Sequence, residues 1–306
     1  MRIVNAIGRC ASHGATTLLA GGLSLRLTIG DSVPGLSAIF YATPWPVLAA
    51  LAILPAFLWV RRRRWQPAGG FALVALLCGI AWARTSFRAG PVPVPGSLRV
   101  AYWNVGRPDR ERPEVLAKMS EIRADVFGLG ETRRGNGPVD PSWTTGQPGK
   151  HVLPLRRHMM LSSPMPATQL HDGFLNDRGQ YALTQMELRG KAVFILMVDF
   201  DAVVTISRKP AFDRMAEIID SLGDAPLIVM GDFNTPSESV YFTPLRHRLK
   251  SAFATAGRGY SHTWPMPLPV LDLDHIWVSH HFRVVSSEHP VSFLSDHLPI
   301  VADLEL

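Results

Sequence analysis

One apolar stretch of the chain ends in two polar residues whose types and spacing suit metal or phosphate chemistry. Residues 227–234 read Leu-Ile-Val-Met-Gly-Asp-Phe-Asn, and four consecutive apolar residues predict a short strand that is buried on both faces. Because alternate residues of an extended chain point to the same side, Asp232 and Asn234 should project together from the strand end. The pair suits a metal ion or an attacking water, but it is equally typical of an Asx turn that closes a strand.

Three further stretches carry polar residues of the same kinds. Residues 100–105 (Val-Ala-Tyr-Trp-Asn-Val) predict a strand that ends in an amide, and residues 125–132 (Asp-Val-Phe-Gly-Leu-Gly-Glu-Thr) predict one that ends in a carboxylate. Residues 295–299 (Ser-Asp-His-Leu-Pro) precede the last predicted strand. Each motif is short. Together the four motifs resemble those of the endonuclease/exonuclease/phosphatase superfamily of metal-dependent phosphoesterases, and they occur in the same order as in that family. The resemblance covers residues 98–306.

The resemblance implies the fold class: an α/β protein with two packed β-sheets and helices on the outer faces, a four-layer sandwich. The local patterns agree with it. Pro113 and Pro210 are placed to begin helices, since proline is tolerated in the first turn. Residues 181–188 and 192–200 predict a hairpin around Arg189-Gly190, and residues 132–150, rich in Gly, Pro and Asn, predict a loop at the mouth of the site.

The same resemblance implies which residues hold a metal ion. Glu131 and Asn104 match cation ligands of the family, and Asp296 is either a further ligand or a residue that helps to seat the site. Mg²⁺ or Mn²⁺ is the expected cofactor, because such ions prefer oxygen ligands and keep several waters. Without the resemblance, Asn104 would be an ordinary turn residue and Glu131 an exposed strand-end charge.

The remaining matched positions imply catalytic roles. Asp232 would orient or deprotonate the attacking water, and Asn234 would hydrogen-bond a phosphoryl oxygen. Asp274 matches a carboxylate that supports His297, and such a neighbour favours the imidazolium form and fixes the tautomer. His297 could therefore contact the phosphate as a cation or act as a base. Most other histidines, such as His280 and His281, are expected at the surface.

One segment departs from the family pattern. Many members carry Asn-x-His before the helix that begins here at Pro210, and that histidine meets the phosphate. The corresponding residues are Asp199-Phe200-Asp201, without a histidine. Arg208 and Lys209, just downstream, are candidate substrate-binding residues that could supply the missing positive charge. The sequence is equally consistent with Arg208 and Lys209 being solvent-exposed residues at the start of a helix that contact no substrate.

The first third of the chain concentrates the apolar residues. Residues 35–60 carry no charge, nor do residues 65–83, and uncharged runs of more than about 18 residues predict transmembrane helices. Cys10–Leu25 is a weaker third candidate for a span. If it crosses the membrane, the Arg26 side chain could extend from its end to the lipid head groups. A signal peptide is the alternative for this segment. We therefore expect a membrane region over residues 1–84 with two to three spans, a proline-rich linker over 85–97 and a catalytic domain over 98–306.

The distribution of charge indicates how such a chain would be oriented. Arg61–Arg64 lie between the second and third candidate spans, and the positive-inside rule places them in the cytoplasm. The domain that follows should then lie outside, on a multi-pass protein of the cell membrane. The first 97 residues have a net charge of +8 and the remainder −2, within a total of +6. The domain lacks the basic excess on which nucleic-acid affinity depends.

These observations predict a membrane-anchored, metal-dependent phosphatase or phosphodiesterase with its active site outside the cytoplasm. Its expected partners are the lipid bilayer and a phosphorylated substrate such as a phosphorylated lipid or isoprenoid carrier. A nuclease is the first alternative, which the charge of residues 98–306 disfavours. A non-catalytic module with the same fold is the second, which the complete set of polar residues disfavours.

Overall fold

The structure is a computed structural model that describes residues 2–108, 112–133, 140–156 and 158–306. Contacts between Cα atoms divide the chain into two units. One unit comprises Met1–Phe87 with Val203–Ser207, and the other comprises Arg88–Ala202 with Arg208–Leu306.

The N-terminal unit is helical. Its helices are α1 (Arg2–Leu27), α2 (Ser37–Ala42), α3 (Trp45–Arg61) and α4 (Trp65–Ser86). Among the described helices, α4 is the one that is long and apolar enough, by length and composition alone, to cross a membrane. The uncharged stretch 35–60, predicted as one span, is instead two helices separated at Thr43-Pro44, because proline restricts the residue before it and cannot donate a backbone hydrogen bond.

Arg26 shows how this break is stabilised. Its Nε donates to the Thr43 carbonyl at 2.7 Å, and its NH2 donates to the Phe40 carbonyl at 2.8 Å. Phe40 lies in the last turn of α2 and Thr43 is its C-cap, so both carbonyls are at the end of the helix. The guanidinium also lies over the Phe40 ring, 4.3 Å from its centroid. Arg26 therefore caps α2 from within the unit, in place of the snorkelling arrangement expected from the sequence.

The second unit contains two mixed β-sheets, as the sequence predicts. The eight-stranded sheet has the order β1-β11-β13-β14-β2-β3-β5-β4, and the six-stranded sheet has the order β10-β12-β9-β8-β7-β6. The strands are β1 (Phe87–Ala89), β2 (Leu98–Asn104), β3 (Val126–Gly130), β4 (His151–Pro154), β5 (Met160–Ser163), β6 (Ala167–Phe174), β7 (Gln180–Leu188), β8 (Lys191–Asp199), β9 (Leu227–Asp232), β10 (Lys250–Ser251), β11 (Gly257–Tyr260), β12 (Asp274–Val278), β13 (Arg283–Glu288) and β14 (Ile300–Glu305).

Helices cover the outer faces of the sheets: α5 (Arg112–Ile122), α6 (Ser142–Thr145), α7 (Lys209–Ser221) and α8 (Thr243–Arg246), which follows a 3-10 turn at Val240–Phe242. A further helix, α9 (Ala252–Ala256), instead contributes Ala252 and Ala256 to the core between the sheets. The alternation of strand residues produces three apolar layers. Val100 and Met230 lie between the sheets, Trp103 packs with α5, and Val229 packs with α7. The four-layer sandwich is confirmed.

Local features of the unit also match the sequence patterns. The β7–β8 pair is the predicted hairpin, and Pro210 lies in the first turn of α7. The predicted loop 132–150 is described only in part, because residues 134–139 lie outside the described residues; within it, α6 buries Trp143 completely. The expected linker is shorter than predicted, because residues 85 and 86 continue α4 and Phe87–Ala89 form β1.

The register of the central strands determines which residues meet at the strand tips. Asn104 pairs with Gly130 across the parallel β2–β3 ladder. In the other sheet Asp232 is opposite Asp199 on one side and opposite Asp274 on the other. Gly231 permits this close pairing, because a Cβ at that position would overlap the Val198 carbonyl. The polar ends of strands from both sheets therefore lie at one edge of the sandwich.

Candidate active site

The two sheets make direct polar contact at this edge. The Asn104 side-chain amide donates through Nδ2 to Oδ2 of Asp232 at 3.1 Å, although the residues belong to different sheets. Both side chains are nearly inaccessible to solvent, with exposed fractions of 2% and 3%. The strand ends that carry Asn104 and Asp232 therefore meet in the structure.

The Asp232–Asn234 segment forms the Asx turn that is one of the two interpretations left open by the sequence. The Asn234 backbone N–H donates to Oδ1 of Asp232 at 2.8 Å, which is an Asx turn. The second carboxylate oxygen, Oδ2, stays directed at the site. Asn234 has a φ of 45°, in the left-handed region that asparagine tolerates, and its Nδ2 donates to the Phe200 carbonyl at 2.8 Å. The turn thus leaves one oxygen of Asp232 for chemistry.

His297 lies between two buried carboxylates. Its Nδ1 hydrogen-bonds Oδ2 of Asp274 at 2.8 Å, and its Nε2 is 3.9 Å from Oδ2 of Asp232. The backbone of the histidine is fixed too, because Trp103 Nε1 donates to the His297 carbonyl at 2.9 Å and the His297 N–H donates to Ser295 Oγ at 3.1 Å. The structure therefore brings together Asp232, Asp274 and His297 in a row.

Burial and charge shift the pKa values of this row. Burial acts to lower the pKa of His297, but the carboxylates of Asp274 and Asp232 outweigh it and raise that pKa to about 10. Burial raises the pKa of Asp232, an effect that Asp274 and Asp199 reinforce and that His297 and the Asn234 N–H oppose. The imidazolium form of His297 is thus held at neutral pH. Its Nε2–H is a cationic donor that faces Asp232.

Glu131 lies immediately after β3, beside Asn104. Val105 N–H donates to the Gly130 carbonyl at 3.0 Å and Arg107 N–H to the Glu131 carbonyl at 2.7 Å, so the two chain segments run on together past the sheet. Arg107 also pairs with Oε1 of Glu131 at 3.1 Å. Glu131 has a φ of 53°, a strained backbone conformation for a residue with a long side chain.

Asp296 reaches the same region from the segment before β14. Ser295 Oγ donates to the Asn104 carbonyl at 2.8 Å, which ties this segment to the end of β2. Asp296 accepts a hydrogen bond from Trp264 Nε1 at 3.3 Å, and its Oδ1 lies 3.3 Å from Ser295 Oγ. A Cβ on Gly106 would lie 3.3 Å from Oδ1 of Asp296, so this glycine allows the close approach of the two loops.

Residues at this edge offer the type of ligand atom that a hard divalent cation prefers. Glu131 and Asp296 carry carboxylate oxygens, and the Asn104 side chain carries an amide oxygen that also accepts from the Gly106 N–H at 3.1 Å. Two buried groups nearby also lack a hydrogen-bond partner among the described residues: Oδ1 of Asp274 and the hydroxyl of Tyr102. Orphaned buried oxygens of this kind are suited to ordered water around an ion. The trio Asp232, Asp274 and His297 is also close enough to hold an ion, but Nδ1 of His297 is already bonded to Asp274.

Asp199 is a site residue whose role the sequence did not reveal. It is half-buried beside Asp232, and Gln180 Nε2 donates to its Oδ2 at 3.2 Å. Burial raises the pKa of Asp199 to about 6, which the Gln180 hydrogen bond opposes and the nearby Glu131 charge reinforces. The alternation of side chains along β8 could have indicated that Asp199 faces the site, because Asp199 lies on the same face of the strand as the inward-pointing Met197.

Tyr102 lies beneath the polar cluster. Its side chain is completely buried, and burial raises its pKa well above 10, an effect that Asp232, Asp274, Asp199 and Glu131 reinforce. The hydroxyl therefore stays protonated. Gly130 leaves the space for it, since a Cβ at that position would overlap the Tyr102 hydroxyl.

Arg208 and Lys209, the candidate substrate-binding pair, occupy different environments. The Arg208 side chain is buried, and its guanidinium donates to the Asn234 carbonyl at 3.1 Å and to the Asp201 carbonyl. Lys209 is exposed and pairs with Asp213 at 2.7 Å, one turn along α7. Arg208 therefore stabilises the Asn234 turn by a hydrogen bond to its backbone.

Comparison with known proteins agrees with this fold. The model of the endonuclease/exonuclease/phosphatase family matches residues 101–297, which span the strand tips described above. The chain belongs to the endonuclease/exonuclease/phosphatase family, whose members hydrolyse phosphoester bonds. No curated protein sequence matches the chain.

Solved structures show the same fold at low sequence identity. A member of the family from Bacteroides thetaiotaomicron has a TM-score of 0.57 and 16% identity, over 70% of this chain and 100% of that one. A mannosyl-6-phosphatase from the same species has a TM-score of 0.55 and 15% identity, over 69% and 100%. A 3′ phosphatase from Neisseria, bound to a product DNA hairpin, has a TM-score of 0.56 and 17% identity, over 69% and 100%.

Proposed function

We propose that the chain is a divalent-metal-dependent phosphoesterase whose site is the shared pocket of Glu131, Asp232 and His297. The contact between Asn104 and Asp232 carries this proposal, because it joins the expected metal side of the site to its acid–base side. Glu131, Asn104 and Asp296 would hold Mg²⁺ or Mn²⁺. A bound ion would neutralise charge on the phosphoryl oxygens.

The remaining residues are arranged for attack by water. His297 Nε2 and Asp232 Oδ2 are 3.9 Å apart, too far for a direct hydrogen bond, so each can serve a different group. Asp232 Oδ2 would accept the proton of the attacking water, and the His297 Nε2–H would donate to a phosphoryl oxygen. Asp274 keeps His297 in the required orientation and charge state. Asn234 is proposed to donate its second amide N–H to the phosphate, and substrate contact by Arg208 or Lys209 stays a prediction.

We expect Glu131→Gln and His297→Gln to abolish Mg²⁺-dependent phosphate release. Each should reduce kcat by about 10²–10⁴-fold, the range for loss of one positioned acid–base or charge-stabilising group. Removing divalent ions with EDTA should reduce the wild-type rate to the same level. The measurement is phosphate release by the purified full chain in detergent.

Glu121→Gln is the matched control, because Glu121 is an exposed acid that pairs with Lys118 on α5. Circular dichroism should show each variant folded. Near-wild-type hydrolysis by either site variant would contradict the assignment, as would full activity in EDTA.

We propose a lipid-linked phosphate rather than a soluble one, because exposed apolar side chains occur in two segments that reach the site. Leu268, Val291 and Phe293 have exposed fractions of 79%, 65% and 73%. Leu268 lies in the loop before β12, in which Met266 N–H donates to the Asp296 carbonyl at 2.8 Å, and Val291 and Phe293 lie in the segment that leads to Asp296. Exposed apolar residues close in sequence to a polar site suit a substrate with a charged head and an apolar tail. The family also includes enzymes that act on nucleic acid, so a nuclease remains the alternative, against the negative charge of residues 98–306.

Substitution of Leu268 and Phe293 by Ser should therefore separate substrate classes. We expect activity on a polyprenyl phosphate or pyrophosphate in vesicles to fall by about tenfold or more, while activity on a soluble sugar phosphate stays unchanged. Phosphate release from both substrates is compared with nicking of plasmid DNA. Equal loss on both phosphates would refute the lipid proposal, and DNA nicking without phosphate release would favour the nuclease.

Asp199 is proposed to protonate the leaving oxygen. A carboxyl group with a pKa near 6 is protonated in a useful fraction close to neutral pH, and general acids work best when their pKa lies near the working pH. Its position beside Asp232 places it on the site side of the β8–β9 ladder. Gln180 supports the carboxyl group from the neighbouring strand.

The leaving group provides a sharp test of this role. Asp199→Asn should slow hydrolysis of an alkyl phosphate by about 10²-fold, because an alkoxide needs a proton to depart. The same variant should hydrolyse 4-nitrophenyl phosphate at nearly the wild-type rate, since nitrophenolate leaves unprotonated. Asp213→Asn, an exposed acid on α7, is the control. An equal reduction on both substrates would contradict a general-acid role.

We also propose that the N-terminal unit anchors the enzyme as a multi-pass membrane protein with its catalytic domain outside the cytoplasm. The 22 residues of α4 extend about 33 Å, enough for a hydrocarbon core of about 30 Å. The 17 residues of α3 reach only about 26 Å, so that helix would need local thinning of the bilayer. Arg61–Arg64 lie at the α3–α4 junction and favour a cytoplasmic position there.

Reporter fusions test this topology. A reporter enzyme that is active only outside the cytoplasm should be active when fused after Leu306 and inactive when fused after Arg64. The fusion after Arg64 serves as the matched control, because it ends before α4. Activity of the Arg64 fusion together with inactivity of the Leu306 fusion would reverse the proposed orientation.

A further inference from the structure

A cluster of two histidines and one aspartate lies at the other end of the central strands from the active site. Asp224 precedes β9, and His280 and His281 follow β12. Asp232 and Asp274, which belong to the active site, are at the opposite ends of these same two strands. At about 3.3 Å per residue, the length of β9 separates the two ends by about 16 Å. The cluster is therefore a different place from the catalytic pocket.

The distances within the cluster are those between ligands of one metal ion. Oδ1 of Asp224 is 3.3 Å from Nε2 of His280 and 3.5 Å from Nε2 of His281, and the three ligand atoms lie within 4.8 Å of one another. Ligands about 2.0–2.1 Å from a tetrahedral zinc ion lie about 3.3–3.4 Å apart. Direct N–H···O hydrogen bonds are shorter, at about 2.7–3.2 Å. The spacing fits a shared ion better than direct hydrogen bonds.

The backbone around the cluster is held in place independently of any ion. The two histidines occupy the centre of a turn in which Phe282 N–H donates to the Ser279 carbonyl at 3.1 Å. Ser279 N–H donates to the Leu227 carbonyl at 2.9 Å, and Leu227 N–H donates to Ser279 Oγ at 3.0 Å, which joins the turn to the start of β9. Phe282 is buried in the core between the sheets. The backbone of the histidine turn is therefore held against the start of β9 before any ion binds.

Ser279 also provides the supporting contact that metal-binding histidines need. Its Oγ is 3.3 Å from Nδ1 of His281. With the proton on Nδ1 donated to this oxygen, the lone pair of Nε2 points to Asp224, as in zinc sites where a hydrogen bond on one ring nitrogen fixes the other as ligand. Asp224 and His280 are largely exposed, with side-chain exposed fractions of 77% and 67%, so a fourth position is open to water.

We propose that Asp224, His280 and His281 form a surface site for a divalent transition-metal ion of the zinc class. Two imidazoles and one carboxylate select such an ion over Mg²⁺, which prefers oxygen ligands alone. The ion would link the segment between α7 and β9 to the turn between β12 and β13. Binding to the folded state would stabilise it by mass action.

The test measures Zn²⁺ binding and thermal stability of the full chain in detergent, with excess Mg²⁺ to occupy the active site. His280→Gln/His281→Gln should bind one Zn²⁺ fewer than the wild type and lose the rise in Tm that Zn²⁺ causes. Asp224→Asn should weaken the Kd for Zn²⁺ by about tenfold or more. His151→Gln/His247→Gln, two exposed histidines elsewhere, is the matched control and should behave as the wild type.

The outcomes separate this site from the catalytic one. Mg²⁺-dependent hydrolysis should be unchanged in all these variants, and Glu131→Gln should retain the Zn²⁺ effect on Tm. Equal Zn²⁺ stoichiometry and affinity in the wild type and the His280/His281 variant would overturn the proposal, whatever the fate of the proposed enzymatic activity.

Discussion

The burial of two carboxylates and one imidazole at the strand tips is the constraint on which the rest of the site depends. Asp232, Asp274 and His297 have exposed fractions of 3%, 2% and 6%, and charged groups are costly in such surroundings unless they are paired and hydrogen-bonded. His297 supplies the compensating charge, and Asn104 and the Asn234 turn supply hydrogen bonds to Asp232. Removing one member of a buried pair typically costs about 3–5 kcal/mol. The arrangement persists because the sheets hold the residues together before any substrate arrives.

The sheets can do this because their registers place the charged residues on adjacent strands. Asp232 has Asp199 and Asp274 as its Cα partners, so three carboxylates come together in one sheet. Mutual repulsion makes three neighbouring carboxylates unfavourable unless positive charge compensates them. A bound cation or the His297 imidazolium can supply that charge. The apolar layers above and below the sheets supply the stability that offsets the repulsion. The buried charged residues are thus concentrated at one edge, and the histidine turn lies at the opposite ends of β9 and β12.

Much of this could be predicted from the sequence. The strand motifs that end in Asn104, Glu131 and Asp232 and the motif around His297 fall at one edge, because short apolar runs fix strand positions and polar residues must then lie at their ends. The predicted two-sheet fold with outer helices is confirmed. The roles assigned to the matched residues, including the binding of a metal ion, stay predictions.

Other features depended on contacts between distant residues. The pairing of Gln180 with Asp199 joins neighbouring strands of a hairpin, and only the alternation of residues along β8 indicates that the aspartate faces the site. Pro44 is a local signal for the break after Thr43, but the absence of charge over residues 35–60 favoured a single span. The hydrogen bonds of Arg26 to the carbonyls at the break could not be read from the sequence. Arg208 was considered for its charge, whereas its burial against the Asn234 turn follows from the packing of α7 on the sheet.

The central claim is that strand ends from two sheets form one cation-binding pocket. A crystal structure of the full chain grown with Mn²⁺, with anomalous scattering recorded to locate the ion, tests it most directly. The account predicts an anomalous peak at coordination distance from the Glu131 carboxylate, with Asn104 and Asp296 beside it. A catalytically active crystal with Mn²⁺ bound elsewhere, and none at Glu131, would contradict it.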